Sequence, residues 1–169
     1  MSARARPVSP TGWILLPAAA AFAAAFVFAT PVRFAGLQLP EPVFALVPAY
    51  VWALERPSAV APMALAGLGM GLDLLWGTPL GLWSCGLLAA YAAIFLIRPM
   101  LAGQEFWVLG GAYVAACAAA FLIGLTLVSL KAGRVPDLIG VAAQFLVTVL
   151  LYPFAWKLAE RYESAEMRY

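Results

Sequence analysis

The sequence predicts an all-α integral membrane protein, a single domain built as a six-helix transmembrane bundle. Of the 169 residues, 65% are hydrophobic and only 11% charged. Soluble domains run at about 45–50% apolar and about 25% charged. A chain this short cannot hide so much apolar surface in its own core, so lipid has to cover it. The apolar residues also gather into six runs near the roughly 20 residues that a helix needs to cross a bilayer. The ten basic residues fall at the ends of these runs or between them, unevenly on the two sides.

Taken in order, the first span covers about 13–29. Arg4 and Arg6 precede it, as in a secretory signal, but its apolar run is longer than a signal's and five spans follow. An uncleaved signal-anchor is the better reading. The second span, about 42–54, is short and carries Pro48 in its middle, which predicts a kinked or partly submerged helix. The third, about 59–76, and the fourth, about 80–97, are joined by a tight turn. The fifth runs over about 106–130 and the sixth over about 138–158.

With the N-terminus inside, Arg4, Arg6, Arg56, Arg98, Lys157, Arg161 and Arg168 are inside, and Arg33, Lys131 and Arg134 outside. Basic residues collect on the cytoplasmic side, so both termini are expected there. Trp13, Trp52, Trp107 and Trp156 then fall near the cytoplasmic interface and Trp76 near the outer one, where amphipathic rings collect. The outer loop from Thr30 to Glu41 is mostly apolar and is expected on the membrane surface or against a partner.

Several functions are disfavoured. A net charge of +2 with no dense basic patch argues against nucleic acid. Histidine is absent, which removes the commonest metal ligand and general base. Cys85 and Cys117 lie inside apolar runs and read as small hydrophobes. Neither a nucleophile–base pair, nor paired carboxylates, nor a phosphate-binding glycine loop is visible. No catalytic residue, metal site or cofactor is expected.

Small residues recur at four-residue spacing: Ala21, Ala25 and Ala29; Gly67 and Gly71; Ala112, Ala116, Ala120 and Gly124. Helices associate in lipid by close packing, which small residues allow. These stripes read as packing within the bundle, or as docking faces for another protein's transmembrane helix.

The most informative stretch is Gly67 to Gly81. Asp73 is the one acidic residue deep in a span, where a charge costs about 2.5–3.5 kcal/mol on insertion scales. Ala66, Gly69, Met70, Trp76 and Gly77 share its face, so the carboxylate is expected to meet a close neighbour. Gly77 suits a left-handed cap on the third helix. Thr78 and Pro79 read as the N-cap and first residue of the fourth. Asp73 would then lie beside a helix N-terminus, which stabilises a carboxylate. Asp73, Gly77, Thr78, Pro79 and Gly81 form a candidate hairpin latch. An interface or switch role, and proton or ion translocation, are the alternatives. Polar partners for a relay are few: Gln144, Thr148 and Tyr152 share a face of the sixth helix and read as interhelical hydrogen bonds.

Gly71-Leu-Asp73-Leu-Leu75, followed by Gly77, Leu80-Gly81 and an apolar helix ending near Tyr91, resembles the rod shape-determining protein MreD family. Ala49-Tyr-Val-Trp52 and Arg56-Pro57 are similar to that family's second helix and cytoplasmic turn. The specific likeness covers about 50–91, and length, span count and charge topology fit over nearly the whole chain. The resemblance implies a non-enzymatic scaffold of the bacterial elongation machinery in the inner membrane. Its implied partner is MreC, met through the membrane helix and the region next to it. RodA, a class B penicillin-binding protein and MreB are the further partners it implies. The family's fold is similar to that of the substrate-binding subunits of energy-coupling-factor transporters. A vitamin- or metal-binding transporter subunit is therefore the alternative function. The outer half offers it few ligand-binding groups: Gln38, Asp73, Thr78, Lys131 and Arg134.

Overall fold

The computed structural model describes residues 10–28, 33–34, 37–38, 41–132 and 137–166. The expected positions of Arg4, Arg6, Ala29, Arg134 and Arg168, and most of the Thr30–Glu41 loop, lie outside them. Among the described residues the chain is helical apart from turns and one antiparallel pairing of two-residue strands, β1 (Arg33–Phe34) with β2 (Leu37–Gln38). The helices are α1 (Pro10–Phe28), α2 (Leu46–Leu54), α3 (Val60–Trp76), α4 (Leu82–Leu101), α5 (Phe106–Ala132), α6 (Leu138–Val149) and α7 (Tyr152–Glu166).

Among the described residues three stretches are long and apolar enough to cross a membrane: Leu82–Leu101, Phe106–Lys131 and the combined path Leu138–Arg161. Trp13–Phe28 and Val60–Trp76 are shorter apolar helices. The exterior carries many large apolar side chains, among them Leu16, Met63, Leu74, Leu96, Leu122, Ile139 and Phe154. Water-soluble monomers rarely expose contiguous surfaces of this kind.

Two expected spans come out differently. The second is a nine-residue helix, about 13.5 Å long at 1.5 Å per residue, and too short to cross a bilayer by itself. Pro48 does not kink it. The helix begins at Leu46, so Pro48 sits in the first turn, where its missing N–H has no intrahelical partner to lose. Every residue of α2 except Val47 is buried. Trp52, expected at an interface, is only 2% exposed and belongs to the core.

The expected sixth helix is broken into α6 and α7 at Leu150–Leu151. Pro153 is the cause: it cannot donate to the carbonyl four residues back and its ring crowds that turn. The chain crosses the break with tighter bonds, from Leu151 N to Thr148 O and from Phe154 N to Leu151 O.

α4 is the hub, packing against α2, α3 and α5, while α1 lies on α3 and α7 on α2. The ends of α2 and α4 meet: Arg98 Nε donates to Leu54 O at 2.6 Å. Arg56 stacks its guanidinium 4.9 Å from the Trp13 ring. One end of the molecule therefore collects Trp13, Glu55, Arg56 and Arg98, and the α3–α4 turn lies at the other.

Candidate functional site

Asp73, in the last turn of α3, is 1% exposed. Its Oδ1 accepts from Thr78 Oγ1 at 2.7 Å and from Trp83 N at 3.1 Å, and its Oδ2 accepts from Gly81 N at 2.8 Å. Its backbone oxygen takes the N–H groups of Gly77 and Thr78. The reason is local geometry. Gly77 adopts φ 65, a left-handed conformation that costs glycine little, and ends α3. The chain then reverses and returns to the carboxylate through Gly81, at φ 92.

The fourth helix starts later than the sequence suggests. Its N-cap is Gly81, not Thr78, and Gly81 has no side chain to cap with. Asp73 performs the capping from the neighbouring helix, accepting the N–H groups of Gly81 and Trp83. Thr78 instead spends its hydroxyl on the carboxylate, and Pro79 lends its carbonyl to Leu82 N at 3.1 Å. Thr78 and Pro79 are thus parts of the turn and neither cap nor open the helix. A carboxylate near a helix N-terminus is stabilised both by the bonds and by the dipole.

A second clasp holds the hairpin about two turns back along α3. Ser84 Oγ donates to Ala66 O at 2.9 Å. Directly against it, a Cβ built on Gly69 would stand 2.4 Å from the Cα and N of Ser84. Gly69 is therefore the position where the two backbones touch. Gly67 and Gly71, marked by their spacing as packing or interface positions, lie away from this contact. A Cβ on Gly67 meets nothing within 4 Å, and one on Gly71 meets the ring of Phe22 in α1 at 2.8 Å. The available signal for Gly69 was its position four residues before Asp73, on the same face.

Ala112, Ala116 and Ala120 are all buried. The carbonyl of Ala120 would lie 3.3 Å from a Cβ on Gly86, so the α5 stripe is occupied by α4. Of the first stripe, Ala21 and Ala25 are buried. Among the described residues these small faces are used inside the bundle.

A third polar node joins the far part of the chain. Thr148, fully buried, donates to Gln144 O at 2.7 Å and accepts from Val43 N at 3.1 Å. Tyr113 donates to Thr148 O at 3.2 Å, and Tyr152 donates to Phe106 O at 2.6 Å. The expected polar face of the sixth segment is thus real, but it fastens the irregular entry to α2.

Among the described residues no three His, Cys, Asp or Glu lie close enough to hold a metal. The Asp73 carboxylate has about four acceptor positions, and three are filled by bonds within its own hairpin. Its geometry serves to fix two helices at a set distance and leaves little to offer a substrate. Comparison of the chain with family models, with curated proteins and with solved structures gave no match.

Proposed function

We propose that this chain is a non-enzymatic scaffold of the bacterial inner membrane, similar to MreD, that binds MreC and supports lateral wall synthesis. The observation that carries the reading is the latched α3–α4 hairpin. Of the residues on which the resemblance rests, Asp73 is the centre of the latch, Gly81 donates to its carboxylate and Gly77 to its backbone oxygen, and Thr78 and Trp83 complete it. A rigid hairpin with its polar groups satisfied suits a protein whose task is to hold others in place.

In this reading both termini are cytoplasmic, and the end with Arg56 and Arg98 faces the cytoplasm. The short α2 fits a membrane because protein, not lipid, surrounds it, and irregular backbone is tolerated at depth when so shielded. The bond from Val43 N to Thr148 Oγ1 supplies that shielding at the entry to α2. RodA, the class B penicillin-binding protein and MreB would be reached through MreC.

The test is co-purification with the MreC of the same genome, alongside rescue of rod shape in cells depleted of their own MreD. The chain should pull down MreC and restore rods, and Asp73→Ala and Gly69→Val should fail at both. Rods restored by both variants would remove the hairpin from the mechanism. A chain that neither binds MreC nor restores shape overturns the reading.

A further inference from the structure

At the end of the molecule opposite Asp73 a cavity of about 560 Å³ opens between the ends of α2, α4, α5 and α7. That volume lies within the range of about 300–1,000 Å³ typical of small-molecule sites. Its walls divide by chemistry. Leu54, Leu101 and Leu109 line the apolar part, and Glu55, Arg98 and Glu160 bring charge of both signs to it.

The cation is fixed in place. Arg98 Nε and Nη2 donate to Leu54 O at 2.6 Å and Glu55 O at 3.4 Å. A guanidinium has five N–H donors, so these two bonds orient it and leave others for an anion. One carboxylate is also positioned, since Glu160 Oε1 accepts from Trp156 Nε1 at 2.7 Å. A ligand with a negative and a positive group a few bonds apart suits the oriented guanidinium of Arg98 and the positioned carboxylate of Glu160.

We propose that this cavity binds the headgroup of phosphatidylethanolamine, with the phosphate at Arg98 and the ammonium at Glu160. A planar guanidinium matches phosphate oxygens. A primary ammonium donates hydrogen bonds to carboxylates, which a choline headgroup cannot do. Lipid is favoured over a soluble zwitterion by depth. The cavity sits where an apolar exterior, with Met100 77% and Trp107 80% exposed, gives way to exposed Arg56, Glu105 and Lys157. That is the level of headgroups. The inference rests on the membrane embedding of the proposed function and not on the scaffold role.

The full chain would be reconstituted in nanodiscs of phosphatidylethanolamine, phosphatidylcholine or phosphatidylglycerol, and retained lipid read by native mass spectrometry. Phosphatidylethanolamine should be retained over both others. Glu160→Gln preserves the acceptor for Trp156 and should reduce that preference about two- to fivefold, the scale of one exposed ion pair. Arg98→Gln should reduce retention about tenfold. Glycerophosphoethanolamine, the soluble headgroup, should displace the lipid only at high concentration. Equal retention of the three lipids, or an unchanged preference in Glu160→Gln, overturns the site. So does binding of the soluble headgroup with no lipid retained. A chain that inserts but shows no preference leaves the scaffold reading standing, whereas one that fails to insert removes both.

Discussion

Asp73 is the side chain whose loss the hairpin can least absorb. Removing it by Asp73→Ala leaves Thr78 Oγ1, Gly81 N and Trp83 N without their acceptor. Each buried unsatisfied group costs about 1–3 kcal/mol, and partial rearrangement of the turn reduces the sum. The expected loss is about 2–5 kcal/mol, read as a lowered unfolding midpoint in detergent. Asp73→Asn keeps one acceptor oxygen and should cost less than half as much. The glycines offer a sharper contrast. Gly69→Ala forces a Cβ onto the backbone of Ser84, where no side chain can step aside, and should cost about 3 kcal/mol or more. Gly67→Ala meets open space and should change stability by less than about 1 kcal/mol. Equal effects at the two positions would mean that the α3–α4 contact is elsewhere.

At the scale of elements, prolines and single polar side chains decide where helices begin and end. Pro153 divides the sixth segment, and Thr148, just before the break, uses its hydroxyl to hold the entrance of α2. Thr148→Val keeps the shape and removes that acceptor. Val43 N is then unpaired, at a cost of about 1–3 kcal/mol, and its amide should lose hydrogen-exchange protection while α3 and α4 keep theirs. Arg98 does similar work at the opposite end, binding the carbonyls of Leu54 and the C-cap Glu55, which an α-helix leaves without intrahelical partners.

At the scale of the whole molecule, the charged end and the hairpin end should lie on opposite sides of the membrane. In intact cells a membrane-impermeant maleimide should label Lys131→Cys and not Gln104→Cys. Both positions are exposed, so a difference reports sidedness and not burial. The native thiols form the background: Cys117 is buried, and Cys85, though exposed, lies on a helix that is long and apolar enough to be bathed in lipid. The reverse labelling pattern would invert the topology, and labelling of both would argue against a sealed crossing.

Much of this arrangement is legible in the sequence because its causes are local. Six apolar segments, the left-handed Gly77, and the solitary carboxylate of Asp73 follow from composition, backbone preference and the cost of burying charge. The predicted partner of that carboxylate was right in kind, the start of the next helix, since a short turn leaves little else within reach. Which residues would supply the donors was not legible. Thr78 had two equally good local roles, capping α4 or bonding Asp73, and only the three-dimensional path of the turn chose between them. The same holds for the glycines. Spacing marked Gly67 and Gly71, and Gly71 does pack against Phe22 of α1, but the glycine that meets the α4 backbone is Gly69, because the facing Ser84 belongs to another helix. The short second segment was expected, but its enclosure by protein, Trp52 included, was not legible for a related reason. Hydropathy measures how much a segment avoids water and cannot tell lipid from protein as the place it goes. By itself the sequence determined that this chain is apolar, helical and reversed at Gly77; the tertiary structure decided which apolar segment lies inside the others, because burial is a property of neighbours and not of a segment.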